Sequence, residues 1–116
     1  MLAERKVAQN RAPVWLYSFD WETPVHDGKL KAYHALDVPF VFNTIDNVNA
    51  TDRGPVAHEL SRRMCATWAT FARTGKVDWP AYTADTRTTM VFNDNSATVD
   101  DPDKDVRPLW SKVATA

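Results

Sequence analysis

Glycine is scarce in this 116-residue sequence: only Gly28, Gly54 and Gly75 occur. Backbone cradles for phosphate or dinucleotide need clustered glycines, so nucleotide-binding folds of that kind are excluded. Cys65 is the only cysteine. That excludes an internal disulfide and a thiolate zinc site, and on its own Cys65 reads as a small buried hydrophobe. There is no His-x-x-x-His pair and no His/Cys cluster with ligand spacing, so neither a metal nor any other cofactor is expected. The formal net charge is only −1, which leaves no electrostatic footprint for nucleic acid. No run approaches the roughly 20 apolar residues of a membrane span. Residues 1–11 are charged throughout and lack the apolar segment of a signal peptide. None of the four serines, Ser18, Ser61, Ser96 and Ser111, stands in a Gly-x-Ser-x-Gly elbow, so no serine nucleophile is recognisable.

What remains is an ordinary globular composition, 44% hydrophobic and 25% charged, sized for one modest domain. Aromatics are plentiful, with five Trp, three Tyr and five Phe. Leu2 to Asn10 reads as the end of a helix with no N-cap before it, as if the sequence began inside an element. Val14 to Trp21 is the strongest strand pattern. Trp15, Tyr17, Phe19 and Trp21 share one face, and Val14 and Leu16 start the other. A strand apolar on both faces wants cover on both sides, as in the parallel sheet of an α/β protein. Glu22 to Lys31 reads as a loop. Ala32 to Phe42, with Pro39 inside it, reads as a tight turn or short helical piece. Asn43 to Gly54 is polar and loop-like.

Pro55 to Thr74 predicts a helix opened by proline and capped by Gly75. Val56, Leu60, Met64, Trp68 and Phe71 form its apolar stripe. Trp79 to Tyr82 reads as a compact aromatic turn and Thr88 to Asn93 as a second strand. Asp94-Asn95 makes a turn, after which Ala97 to Asp100 either pairs or trails off. A last helix is expected from Asp101 to about Lys112.

Each histidine has a plain reading. His26 lies in a polar loop beside Asp27-Gly28, and His58 on the polar flank of the long helix. His34 stands just ahead of an apolar turn, about a dozen residues after the strand. Pattern alone leaves it open between a structural and a chemical role.

The stretch Lys31 to Asn43, KAYHALDVPFVFN, resembles the histidine motif of the type-B carboxylesterase and cholinesterase family. The motif has a histidine, a small residue, an acidic residue and a Pro-Phe-Val-Phe-like run, here His34, Ala35, Asp37 and Pro39 to Phe42. Further matches follow in the family's order: WATFARTG from Trp68, WPAY from Trp79, RTTMVFN from Arg87, and Trp110. Val14 to Trp21 resembles the strand that leads to the histidine loop. There are departures. Ala35 replaces a common glycine, which is tolerable while the local backbone stays away from positive φ. The segment between Gly75 and Trp79 is short, and Cys65 offers no equivalent of the late disulfide of animal cholinesterases.

The resemblance implies an α/β class, with residues 1–116 as the C-terminal fragment of a single carboxylesterase α/β-hydrolase domain and an incomplete sheet. In that fold the triad runs Ser, then acid, then His along the chain. His34 would therefore be the catalytic histidine, with nucleophile and acid in a missing N-terminal part. The implied partners are a small-molecule carboxylic ester and that missing part of the same domain, with no nucleic acid and no membrane span. Asp37 could be taken for the triad acid, but it follows the histidine, so a carboxylate that stabilises the turn fits better. Phe40 and Phe42 could border an acyl pocket, with core packing as the default. Two competing readings are a non-catalytic cholinesterase-like interaction module, distinguished by the absence of an elbow serine, and a self-standing α+β binding domain with no large exposed apolar face.

Overall fold

The computed structural model describes residues 2–49, 51 and 54–113, with the Ser111 side chain left aside. Residues 50, 52 and 53 of the polar loop lie outside the described set. Helix α1 (Leu2–Ala8) leads to strand β1 (Leu16–Phe19), followed by helices α2 (Asp37–Val41) and α3 (Pro55–Thr74). Strands β2 (Thr88–Phe92) and β3 (Ala97–Asp100) and helix α4 (Arg107–Val113) complete the order. Short 3-10 turns at Val25–Gly28 and Ile45–Asn47 shape the loops on either side of α2.

The sheet order is β1-β2-β3. β1 runs parallel to β2, with Tyr17 opposite Met90 and Phe19 opposite Phe92. β3 returns antiparallel to β2 through the turn at Asp94-Asn95. The parallel pair requires a long crossover, and α2 and α3 supply it. The expected strand over residues 14–21 is observed only at Leu16–Phe19. Its flanks fall outside the strand proper, although Asp20 N–H donates to the Phe92 carbonyl at 2.9 Å and Tyr82 N–H to the Val14 carbonyl at 2.7 Å.

α3 has the expected bounds. Pro55 occupies its first turn, where the missing N–H has no intrahelical partner anyway, and Gly75 closes it at φ 70. Its buried face differs from the expected stripe. Ala57, Leu60, Ser61 and Met64 are buried, whereas Val56 and Phe71 are about half exposed. The helix is rotated so that its N-terminal half packs on α2. Ser61 makes this possible, because its buried hydroxyl lies 3.1 Å from the Phe40 carbonyl and 3.0 Å from Asn43 Oδ1. Cys65 is intermediate in exposure rather than buried. The last helix begins at Arg107, not Asp101, because Asp101 adopts φ 45 and residues 102–106 form turns. Among the described residues no helix is long and apolar enough to cross a membrane.

The core lies between one sheet face and the α2–α3 pair. Phe19, Trp21 and Phe40 interlock with centroids 5.0–6.5 Å apart. Trp68 and Trp79 close on Phe92 at 5.9 and 6.0 Å. Leu36, Phe40, Ile45, Met64 and Phe92 have almost no exposed surface.

Truncating a buried Phe to Ala costs about 3–5 kcal/mol. The whole stability of a domain this size is about 5–15 kcal/mol. Phe40→Ala is therefore expected to abolish or severely broaden cooperative thermal unfolding. Phe42→Ala, at a site 70% exposed, should change stability by no more than about 0.5 kcal/mol. Equal effects of the two substitutions, measured by urea denaturation, would contradict this placement of the core.

Candidate active site

The connection from β1 to α2 carries the candidate histidine. His34, Ala35 and Leu36 form a turn directly ahead of α2. It is closed by Leu36 N–H donating to the Tyr33 carbonyl at 3.1 Å and Val38 N–H to the Ala35 carbonyl at 3.2 Å. The Leu36 side chain is almost wholly buried, so the turn is pinned from below. His34, two residues earlier, is exposed rather than packed inside.

Two features define this turn. The first is backbone strain. Ala35 sits at φ 66, in the left-handed region where a Cβ is disfavoured by roughly 1–2 kcal/mol. The condition under which alanine would be tolerable here is therefore not met. The second is a polar clamp. Tyr17 on β1 donates its hydroxyl to Asp37 Oδ2 at 3.1 Å. Its ring is wedged edge-on against Trp68 at 4.9 Å and Phe92 at 6.0 Å. Burial first, and then the hydrogen bond to Asp37, raises the Tyr17 pKa above the usual phenol range. The phenol thus keeps its proton and stays a donor. Asp37 has the turn-stabilising contact expected of it, at the positive end of α2.

In the sequence, Tyr17 reads only as one of the aromatic residues sharing a face of the strand. The clamp joins residues 20 apart, and no local pattern signals it. The Ser61 link was missed for the same reason. Phe40 lies in the core, and Phe42 is exposed beside α2.

The other candidates have local explanations. His26 is exposed at φ 55. His58 places Nδ1 2.9 Å from the Gly54 carbonyl and Nε2 3.1 Å from Asp46 Oδ1. That joins the start of α3 to the Ile45–Asn47 turn. Ser18 bonds Asp20, and Ser96 bonds Asn93. Among the described residues no group of three or more His, Cys, Asp or Glu is arranged to hold a metal. A cleft of about 160 Å³ opens beside β1, lined by Trp15, Tyr17, Trp68, Phe71, Val77 and Trp79. His34 is not part of its lining.

If Ala35 is strained, Ala35→Gly should raise stability by roughly 0.5–1 kcal/mol, the conformational relief outweighing the added freedom of the unfolded chain. Tyr17→Phe should lower stability by about 1 kcal/mol, because it leaves the Asp37 carboxylate without its donor. Denaturation midpoints of the two variants check both signs. A destabilised Ala35→Gly would show that the turn is not under strain.

The model of the carboxylesterase family matches residues 2–110. The chain is 38% identical over 104 residues to para-nitrobenzyl esterase of Bacillus subtilis, covering 83% of this chain and 21% of that protein. It is 33% identical over 109 residues to phenmedipham hydrolase of Pseudarthrobacter oxydans, covering 81% of this chain and 22% of that protein. The solved carboxylesterase of Geobacillus stearothermophilus superposes with a TM-score of 0.78 at 38% identity, over 93% of this chain and 24% of that one. The chain thus spans about a fifth of the length of the curated relatives it matches.

Proposed function

The chain belongs to the carboxylesterase family and carries part of its α/β-hydrolase fold, and we propose that residues 1–116 are the C-terminal segment of one such domain, with His34 as the general base for hydrolysis of small carboxylic esters. The carrying observation is local. An exposed histidine stands on a buried-anchored turn between a parallel strand and the crossover helices, inside a segment matched to the family along nearly its whole length.

His34 would accept the proton of a serine hydroxyl as that oxygen attacks the ester carbonyl. It would return the proton to the departing alcohol, then take one from the water that releases the acid. Imidazole suits both directions, since it titrates near ~6.5. A carboxylate outside this segment would hold its other ring nitrogen. The turn's buried Leu36 and the Tyr17–Asp37 clamp would keep the ring placed, which proton transfer over hydrogen-bond distance demands.

The serine would come from sequence outside residues 1–116. The isolated chain is therefore expected to hydrolyse para-nitrophenyl acetate no faster than buffer, with or without His34→Ala. A direct test joins the chain to a nucleophile. The part of the chain that aligns with para-nitrobenzyl esterase replaces its counterpart in that protein. The chimera should cleave para-nitrophenyl esters, and His34→Ala in it should lower kcat by about 10⁴-fold or more. A folded chimera that is inactive, or one indifferent to His34→Ala, would sink the proposal.

A further inference from the structure

His58 stands in the first turn of α3, with hydrogen-bond acceptors at both ends of its ring. Nδ1 lies 2.9 Å from the Gly54 carbonyl oxygen. Nε2 lies 3.1 and 3.3 Å from the two carboxylate oxygens of Asp46, in the 3-10 turn Ile45–Asn47. The Gly54 carbonyl also accepts the His58 backbone N–H at 3.2 Å, which its two lone pairs allow. Neither partner can donate in return. A backbone carbonyl never does, and a carboxylate cannot while it is ionised.

A neutral imidazole carries one N–H and one bare lone pair. In one tautomer the lone pair faces the Gly54 oxygen, and in the other it faces the Asp46 carboxylate. Either way one of the two contacts sets acceptor against acceptor. Only the imidazolium, with a donor on each nitrogen, satisfies both. The other charges nearby leave this preference standing. Glu59 and Arg62 of α3 bond each other. Asp52 and Arg53, in the loop ahead of α3 and outside the described residues, are of opposite sign. The N-terminal end of α3 opposes a cation, but with only about half a charge spread over its first turn. Asp46 sets a full negative charge 3.1 Å from Nε2.

We propose that His58 is a pH-dependent latch: as imidazolium it donates from both ring nitrogens and ties the Ile45–Asn47 turn to the start of α3, and on losing its proton it gives up one of the two bonds. Both acceptors favour the charged ring in the folded chain, which lifts its titration above the ordinary value of about 6.5. The latch therefore contributes its full stability below about pH 6.5 and loses it as the pH rises through the folded-state midpoint. The ring is 41% exposed and the carboxylate 65%, so the proton exchanges with solvent and salt weakens the pair. The latch bridges the connection from α2 to α3, so pH acts on the crossover and leaves the aromatic core alone. It is independent of His34 and of the esterase reading.

Histidine labelled with 15N in the full chain reports the protonation of each ring nitrogen through a pH series. His58→Gln assigns the His58 signals. If that variant does not fold, His26→Gln and His34→Gln, both at exposed positions, assign them by elimination. His58 should titrate above about 6.5, and Asp46→Asn should lower its midpoint by roughly 0.2–0.7 of a pH unit. The difference in Tm between wild type and Asp46→Asn should be largest near about pH 6 and shrink towards about pH 9. A His58 midpoint at or below about 6.5, a midpoint unmoved by Asp46→Asn, or a Tm difference that stays constant across that range would each overturn the proposal. The wild-type titration decides the matter even if Asp46→Asn fails to fold.

Discussion

The fold hangs on one ring. Phe40 has no exposed surface and meets Phe19 and Trp21 on the sheet side while its carbonyl receives the Ser61 hydroxyl on the helix side. A residue held by its ring on one flank and by its main-chain carbonyl on the other fixes the separation of its neighbours, because protein interiors are close-packed and give little. α2 cannot slide along the sheet without tearing Phe40 from its two aromatic partners. α3 cannot shift without breaking the buried Ser61 contact, which would leave a polar group unpaired in the core. The turn at His34 begins only six residues before this anchor. Its position is therefore inherited from the core, and loops placed by a rigid scaffold are where chemistry is usually found.

Between the anchor and the histidine, the backbone takes a conformation it would not choose freely. Ala35 at φ 66 persists because its surroundings over-determine it. Leu36 is buried on one side, and the Tyr17–Asp37 bond holds the start of α2 on the other. Strain of this kind clusters where geometry matters more than stability. A glycine would relieve it but would also free the turn, so the alanine trades stability for definition of the histidine's position.

Much of this was legible in the residues, for reasons that can be named. α3 announced both its ends because proline and glycine act through the backbone, independently of context. The parallel arrangement followed from a strand apolar on both faces. The rotated face of α3 was not legible. Val56 and Phe71 fit the apolar period as well as Ala57 and Ser61 do, and only the partner helix decides between them. α4 starts late because Asp101 turns its backbone to receive Arg107, a pairing that its acidic neighbours concealed. At the candidate site, the motif singled out His34 and Asp37. Tyr17 and Ser61 were invisible because their polar contacts cross 18 to 21 residues of sequence.

The two edges of the sheet are built differently, and the contrast bears on what the segment belongs to. Every residue of β3 is exposed, and the strand ends at Asp100. It is short and charged, as a strand meant to end a sheet should be. β1, the opposite edge, reads Leu-Tyr-Ser-Phe over residues 16–19, with no charge, proline or bulge to discourage pairing. Beside it lies the aromatic cleft formed with the C-terminal half of α3, where Phe71 is half exposed. An undefended apolar edge next to an open aromatic face is a hazard for a free-standing domain, and it is ordinary for a strand in the interior of a wider sheet. The asymmetry therefore favours a sheet continued beyond β1 by further sequence, the same sequence that would bring a nucleophile to His34.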